Sequence, residues 1–489
     1  MSAHLSALDA TFLELEEADE SAHMHIGGVM VFDAMPCGRP PSREELQEHL
    51  ESRLAQLPRY RQCLSQPHTG GLSWPQWRDD PTFTVSRHLT RAALPAPGGR
   101  DELARWSSEF FSTRLDRHRP LWEMALVEGL ADGRWALAHK THHCMVDGVG
   151  SVDVVDVLLD TAASLPTHTR TRRRITGARA ADEAAAPTSR EDGALGRALA
   201  SLTHAAEGLP GADTAMNAAR FGAHSVRHPR EAAGKARAAI ELIVREELRG
   251  APHTSLNEPI GTRRRLEVVP IPLADLKSVK SALGGTVNDV VLSLTASGLR
   301  ALLASRGEPL PAQGLRAMVP MNLRAASEHL ALGNRVSSLF VEVPVLEADV
   351  VRRYRETTAS SRSQKLAGQA QGSSAVLEIA GLAPPVLHAG LARSLYATRL
   401  FNLTITNVPG RQHTLYALGA PLREIHPLVP LAAAHALGVA ALSYDGNVFL
   451  GVVADPDQVP DLEVFLGAVD SSLEELLAAA GAHPTAGVR

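Results

Sequence analysis

The sequence predicts an α/β protein built from two lobes, and three observations support this prediction. The chain has 489 residues, which is far more than the roughly 100 to 200 residues of a single core. Residues 27–32 (GGVMVF) are typical of a buried strand, and residues 43–57 carry leucines at helical spacing. A second alternation of strands and helices begins at residue 265.

The first lobe contains a predicted β-hairpin that ends in two histidines. Strand-like residues 123–128 and 135–142 flank an Asp-Gly pair at residues 132–133. Asp-Gly adopts the positive φ angles of a tight hairpin turn at low energetic cost. His142 and His143 are therefore expected at the end of the second strand.

A turn from strand to helix is expected after the histidines. Residues 149–159 carry apolar side chains on one helical face, which places Asp147 and Gly148 at this turn. We expect Asp147 to rigidify the turn by contacting the histidine loop, an arginine or the N-terminus of the helix. Gly148 indicates either a positive φ or a close approach of the backbone to a ligand.

The second lobe has a similar predicted plan. Its elements are strands at residues 265–271, 336–343 and 403–406, a helix at 288–303, a hairpin of residues 440–444 and 447–453 around Asp445-Gly446, and a helix at 461–477. Ten residues after the turn aspartate stands His142 in the first hairpin and Asp455 in the second. If the lobes share a plan, only the first one carries the histidines.

Composition divides the chain into a first lobe at residues 1–165, an inter-lobe region at 166–264 and a second lobe at 265–489. The middle segment is rich in Ala, Arg, Gly, Pro and Ser. We expect its amphipathic helix at residues 231–248 to pack on the protein body rather than on a membrane, because the apolar face is narrow. The basic run at residues 170–174 is typical of a solvated segment, with coenzyme A phosphates or anionic lipid as the alternative contacts.

Composition and charge argue against several classes of protein. Hydrophobic residues make up 44% of the chain and charged residues 21%, which is typical of a folded globular protein. A formal net charge of -5 provides no basic field for nucleic acid. The chain has only three cysteines, no recognisable signal sequence and no uninterrupted apolar run of about 18 residues. We therefore expect a cytoplasmic protein with at most peripheral membrane contact.

The histidine pair is the strongest candidate for chemistry. Adjacent residues on a strand point to opposite faces, so His142 and His143 cannot readily bind one metal ion together, and we expect no metal site. A neutral imidazole can accept a proton from an alcohol near pH 7 when its other ring nitrogen is held in place. One histidine facing a cavity and the other facing the scaffold would suit acyl transfer to oxygen. A purely structural role for the pair is the alternative.

The segment HHCMVDG at residues 142–148 resembles the HHxxxDG signature of the acyl-CoA-dependent acyltransferase superfamily, which also contains chloramphenicol acetyltransferase and condensation domains. Over nearly its whole length, the chain is similar to the bacterial wax ester synthase/diacylglycerol acyltransferase family. The segments that carry this resemblance are Leu5-Ser6-Ala7-Leu8-Asp9, Pro120-Leu121-Trp122-Glu123, Leu256-Asn257, Gly261, Arg263-Arg264-Arg265, Asn288-Asp289, Pro320-Met321-Asn322-Leu323-Arg324, Leu332-Gly333-Asn334 and Asn407-Val408-Pro409-Gly410.

The resemblance implies a two-lobed, chloramphenicol acetyltransferase-like α/β fold with a tunnel between the lobes. It implies transfer of a long acyl chain from acyl-CoA, a co-substrate rather than a permanently bound cofactor, to diacylglycerol or to a fatty alcohol. His143 would be the general base, and His142, Asp147 and Gly148 would complete the catalytic motif. Because these substrates are insoluble, we expect peripheral association with lipid droplets or the inner membrane. The alternatives are a related enzyme for another hydroxyl acceptor or for amide formation, and a non-catalytic lipid-binding protein.

The remaining motifs each have a functional and a structural interpretation. Pro120-Leu121-Trp122 would either line the acyl tunnel or pack in the hydrophobic core. Asn288-Asp289 would contact substrate or cap a helix, and Asn407-Val408-Pro409-Gly410 would form a structural turn after a strand. Cys144 would support an acyl-cysteine mechanism only if its pKa were lowered, and the resemblance requires no cysteine at this position.

Overall fold

The computed structural model describes residue 5 and residues 7–65, 75–146, 148–163, 250–322, 336–368 and 400–485. The chain divides into two compact units, Met1–Ser164 with Ala236–Arg489, and Leu165–Lys235; all described residues belong to the first unit. Several sequence predictions lie outside the described residues: the helix at 231–248, the basic run at 170–174, and Asp147. They stay predictions, as do the boundaries of the three predicted segments.

The described elements alternate between helix and strand in both halves. The first half contains helices α1 (Ala7–Ala18), α2 (Arg43–Leu54), α3 (Arg100–Ser112) and α4 (Gly148–Leu158), with strands β1 (His25–Phe32), β2 (Gln62–Leu64), β3 (Trp77–Asp79), β4 (Leu89–Ala93), β5 (Trp122–Glu128) and β6 (Trp135–His142). The second half contains helices α5 (Leu273–Leu283), α6 (Val287–Ser305), α7 (Val350–Gly368) and α8 (Leu462–Ala479), with strands β7 (Arg265–Pro272), β8 (Leu315–Asn322), β9 (Val336–Val343), β10 (Leu403–Pro409), β11 (Tyr416–Ala417), β12 (Ala420–Leu428), β13 (Leu437–Tyr444) and β14 (Asn447–Ala454).

Two mixed six-stranded sheets form the centres of the two lobes. The first sheet has the order β11-β12-β1-β6-β5-β4, and the second has the order β7-β14-β13-β10-β8-β9. Strands β11 and β12 come from the second half of the chain but pair within the first sheet, where β12 is antiparallel to β1. The first sheet is therefore completed by two strands from the second half.

The two sheets contain the same four-stranded unit, as the similar sequence plans suggested. In the first sheet β4 is parallel to β5, and β6 is antiparallel to both β5 and β1. In the second sheet β10 is parallel to β13, and β14 is antiparallel to both β13 and β7. His142 ends β6 in one unit, and Asp455 directly follows β14 in the other. The shared plan of the two halves is confirmed.

Local sequence signals explain where the elements begin and end. Both Asp-Gly pairs have the expected positive φ angles, 60° and 69° at Asp132 and Gly133, and 43° and 81° at Asp445 and Gly446. Helix α2 begins with a capping box of Ser42 and Glu45. It ends at Leu54 rather than at residue 57. Pro58 accounts for the non-helical backbone of Leu57, whose φ and ψ are -118° and 75°.

Helix α6 lies in the core of the second lobe and is buried on nearly all sides. Among the described helices it alone is long and apolar enough to cross a membrane, but 72% of its apolar window is buried inside the protein. Such burial is typical of a core helix. The sheets approach each other closely where β14 passes β12: a Cβ atom on Gly451 would lie 2.0 Å from the Pro427 carbonyl oxygen, so a side chain at this position would force the strands apart.

Candidate active site

His142 ends strand β6 and His143 directly follows it, and the two side chains enter different surroundings. His142 has no exposed surface, whereas His143 is half-buried. The N–H group of His142 donates to the carbonyl oxygen of Leu121 at 2.9 Å, and that of His143 donates to Met24 at 2.8 Å. The structure thus separates the two side chains, as expected for adjacent residues at a strand end.

A buried carboxylate lies beside His142. Glu16 of α1 is 2% exposed, and its Oε2 atom lies 3.3 Å from Nε2 of His142, while its Oε1 atom lies 3.5 Å from Nε2 of His25. An NH2 group of Arg117 donates to Oε2 at 3.0 Å. Burial alone would raise the pKa of Glu16, but its contacts with His142 and His25 hold the pKa well below its usual range. The carboxylate is therefore ionised.

The other histidines near Glu16 are uncharged at neutral pH. Burial lowers the pKa of His25 to about 4. Burial and the positive charge of Arg264 lower the pKa of His23 to about 4. Positive charge beside Glu16 comes from Arg117, 3.0 Å from Oε2, and Arg114, 3.8 Å from Oε1.

A hydrogen bond defines the protonation of the His142 ring. Its Nδ1 atom accepts the backbone N–H of Cys144 at 3.1 Å, so Nδ1 carries no proton. In the neutral ring the proton is then on Nε2, the nitrogen that faces Glu16. His142 thus lies between a carboxylate and the backbone of the loop that carries His143.

Helix α1 also contacts His143. The rings of Phe12 and His143 are stacked, with centroids 4.0 Å apart and planes inclined by 12°. Phe12 and Glu16 are four residues apart, so they lie on one face of α1. Neither residue was predicted from the sequence, where the available signal was their helical spacing in the segment ATFLELEEA.

Helix α4 begins at Gly148, one residue before its predicted start, and Asp147 lies outside the described residues. Cys144 is 1% exposed, and burial raises the pKa of its thiol well above its usual value. A thiolate nucleophile is therefore disfavoured at this position.

Within the described residues, no cluster of three or more His, Cys, Asp or Glu side chains could hold a metal ion.

Pro120, Leu121 and Trp122 pack in the core beside the histidines. Trp122 is 1% exposed, donates from Nε1 to the carbonyl oxygen of Tyr60 at 2.7 Å and stacks on His88 with ring centroids 4.4 Å apart. Leu121 reaches the histidine motif through its backbone, by accepting the N–H of His142. These contacts support the core interpretation of Trp122.

The second-lobe motifs meet each other at the start of α6. Asp289 accepts hydrogen bonds from the backbone N–H and the hydroxyl of Thr286, both at 2.8 Å. The predicted capping role is confirmed for Asp289, although the N-cap residue is Thr286. Asn288 accepts from Nδ2 of Asn407 at 3.2 Å, so the Asn-Asp and Asn-Val-Pro-Gly segments are in contact.

A small cleft lies where the two sheets and α4 meet. Its lining includes Gly27 and His139 of the first sheet, Leu442 of the second, and Val155 of α4. Asp156 of α4 and Arg411 also line it and form an ion pair, in which the arginine Nε lies 3.0 Å from both carboxylate oxygens. His143 is not among the lining residues.

Comparison with solved structures supports the two-lobed fold. The chain superposes on the wax ester synthase/diacylglycerol acyltransferase from Marinobacter aquaeolei VT8 with a TM-score of 0.63 at 24% identity, covering 98% of this chain and 100% of that one. It also superposes on the starter condensation domain of rhizomide synthetase, crystallised with C8-CoA and Leu-SNAC, with a TM-score of 0.59 at 14% identity, covering 99% and 96%. The predicted chloramphenicol acetyltransferase-like α/β fold is confirmed.

Sequence comparison identifies the family. The model of the wax ester synthase/diacylglycerol acyltransferase catalytic domain matches residues 5–291, and the model of the C-terminal domain of the same family matches residues 332–477. A protein of Mycobacterium tuberculosis (strain ATCC 25618 / H37Rv) named "Probable diacyglycerol O-acyltransferase tgs1" is 31% identical over 482 residues, which cover 97% of this chain and 96% of that protein. With these matches spanning both lobes, the chain belongs to the wax ester synthase/diacylglycerol acyltransferase family.

Proposed function

We propose that this protein is an acyl-CoA-dependent O-acyltransferase that transfers a long-chain acyl group to diacylglycerol, giving triacylglycerol, or to a fatty alcohol, giving a wax ester. The observation that carries the proposal is the complete HHCMVDG segment at the end of β6 in a chain of this family. The acyltransferase names of relatives that match nearly the whole chain support it.

In the proposed reaction His143 is the general base. It accepts the proton of the acceptor hydroxyl while the oxygen attacks the thioester carbonyl carbon and forms the new C–O bond. The tetrahedral intermediate then breaks its C–S bond, and the departing coenzyme A thiolate takes the proton from His143. No enzyme nucleophile is required, which agrees with the raised pKa of the buried Cys144 thiol.

The neighbouring motif residues would shape this site. We propose that His142 orients the histidine loop, and that Asp147 and Gly148 form the turn into α4. Pro120, Leu121 and Trp122 would support the acyl-binding wall from the core. Asn288, or a backbone N–H of the histidine loop, would stabilise the oxyanion. Asn407 already donates to Oδ1 of Asn288, so Nδ2 of Asn288 is the atom suited to donate to the oxyanion. Asp289 would cap α6.

The cleft between the sheets would form part of the inter-lobe tunnel. Its lining includes the apolar side chains of Val155, Ile425 and Leu442, which are of the kind that contacts an acyl chain. We propose a cytoplasmic location with peripheral association at the inner membrane or lipid droplets, because both products are insoluble. Flotation of the purified protein with liposomes tests this location, and a protein that stays wholly in the soluble fraction would contradict membrane association.

The acceptor is tested by incubating the protein with palmitoyl-CoA and either diacylglycerol or hexadecanol in detergent, with products resolved by thin-layer chromatography. Triacylglycerol or wax ester that forms only with the matching acceptor supports the proposal. Failure with both acceptors would favour another hydroxyl acceptor. Tight binding of acyl-CoA without release of thiol would favour the non-catalytic lipid-binding alternative.

A further inference from the structure

The face of α1 that carries Phe12 and Glu16 contacts both histidines of the HHCMVDG segment. Phe12 stacks on His143, and Glu16 faces His142. Phe12 and Glu16 are one helical turn apart on α1. The two histidines that they contact are adjacent in sequence, and His142 ends β6. A single helix face therefore holds both rings.

The environment of Glu16 indicates a specific role. A carboxylate that is 2% exposed has lost its hydration and is stable only when charged and polar groups replace the water. Arg117 supplies two of these contacts, because its Nε and Nη2 atoms both donate to Oε2 of Glu16. Arg117 also donates to the carbonyl oxygen of Leu13. Arg114 donates to the backbone carbonyl oxygen of Glu16. Both arginines thereby fix α1 so that the carboxylate faces His142.

The tautomer of His142 links this carboxylate to the histidine loop. Nδ1 can accept the Cys144 N–H only while it is unprotonated, and a neutral ring then carries its proton on Nε2. A negative charge 3.3 Å from Nε2 favours this tautomer. Loss of the charge would free the ring to exchange tautomers and would weaken its bond to Cys144.

We propose that Glu16 is a positioning residue for the acyl transfer: it holds His142 in the Nε2–H tautomer, and His142 in turn fixes the loop that presents His143. This inference rests on the proposed function only for its effect on turnover. Its effect on the Cys144 N–H is independent of any activity. Glu16 does not need to touch substrate.

The test compares Glu16→Gln with Glu17→Gln, the same change at the next residue of α1. The Glu17 side chain is 64% exposed, and at 3.9 Å its ion pair with Arg117 contributes little in water. We expect Glu16→Gln to lower kcat by about tenfold to a hundredfold, as for loss of a charge-assisted contact, with little change in KM for acyl-CoA. Glu17→Gln should behave as the wild type. A wild-type kcat in Glu16→Gln would overturn the proposal, as would a loss confined to KM.

A double-mutant cycle tests whether Glu16 acts through His142. The amide oxygen of His142→Asn can accept the Cys144 N–H in place of Nδ1, but this shorter side chain does not reach Glu16. In that background, Glu16→Gln should cost little further kcat. A full additional loss would show that Glu16 acts by another route and would overturn the proposal.

Hydrogen exchange provides a readout that does not depend on turnover. The amide of Cys144 should exchange faster in Glu16→Gln than in the wild type or Glu17→Gln, with the melting temperature measured beside it. If Glu16→Gln does not fold, the comparison of His142→Asn with His142→Ala replaces it, and the Asn variant should protect Cys144 better. Equal exchange in the compared variants would overturn the inference, whereas an inactive wild type with the expected exchange would overturn only the proposed function.

Discussion

The ring of Phe12 lies parallel to the ring of His143, with centroids 4.0 Å apart. Phe12→Leu keeps an apolar side chain but removes the stacked ring. Aromatic pairs contribute about 0.5 to 1.5 kcal/mol beyond their burial, so we expect kcat to fall about twofold to tenfold because His143 becomes less well oriented. Steady-state kinetics measure this effect. Phe12→Tyr preserves the ring and should keep nearly wild-type kcat; equal kcat values for the Leu and Tyr variants would contradict a positioning role for the stack.

Substitution of Trp122 tests whether the Pro-Leu-Trp segment packs in the core. Trp122→Phe loses the Nε1 hydrogen bond to Tyr60 and leaves a small cavity, so the free energy of unfolding should fall by about 1 to 3 kcal/mol. Urea unfolding measures this loss. The same change at the half-buried Trp106 of α3 should cost less. A changed acyl-chain preference together with unchanged stability would instead place Trp122 in the substrate tunnel.

Replacing Asn288 should mainly lower kcat, whereas replacing Asp289 should mainly lower the free energy of unfolding. Asp289→Ala removes the acceptor for two hydrogen bonds from Thr286 and should lower the free energy of unfolding by about 1 kcal/mol while kcat changes little. Asn288→Ala leaves the capping box intact and should mainly lower kcat. Thermal unfolding and kinetics on both variants test this division, and a catalytic defect in Asp289→Ala at unchanged stability would reverse it.

Buried histidines should make the fold sensitive to acid. Burial lowers the pKa of His139 to about 4, against about 6.5 in the unfolded chain. Between these values the unfolded state binds more protons than the folded state, so stability rises with pH and is lost as the pH falls from 6.5 towards 4. By pH 5 this loss is on the order of 1 to 2 kcal/mol for one such histidine. Melting temperatures at pH 7.5 and pH 5 measure it, and His139→Gln should reduce the difference. An unchanged difference would show that His139 does not titrate in this window.

The structural features that depend only on residues close together in the chain were predicted best from the sequence. Both hairpins and their Asp-Gly turns were placed correctly because positive φ is a local property of these residue pairs. The pairing of β12 with β1 joins residues nearly 400 positions apart, and no local pattern encodes it. For the same reason, the approach of Phe12 and Glu16 to the histidines depends on the packing of α1, which the helical spacing alone does not determine.

The most direct test of the account is acceptor-dependent release of free coenzyme A from palmitoyl-CoA by the wild type, His143→Ala and Cys144→Ala. Cys144→Ala keeps the backbone N–H that His142 accepts, so it serves as the matched control. The account predicts release by the wild type and by Cys144→Ala, and loss of release in a folded His143→Ala variant. Release by His143→Ala above a few per cent of the wild-type rate would contradict His143 as the general base, and loss confined to Cys144→Ala would point to a cysteine nucleophile.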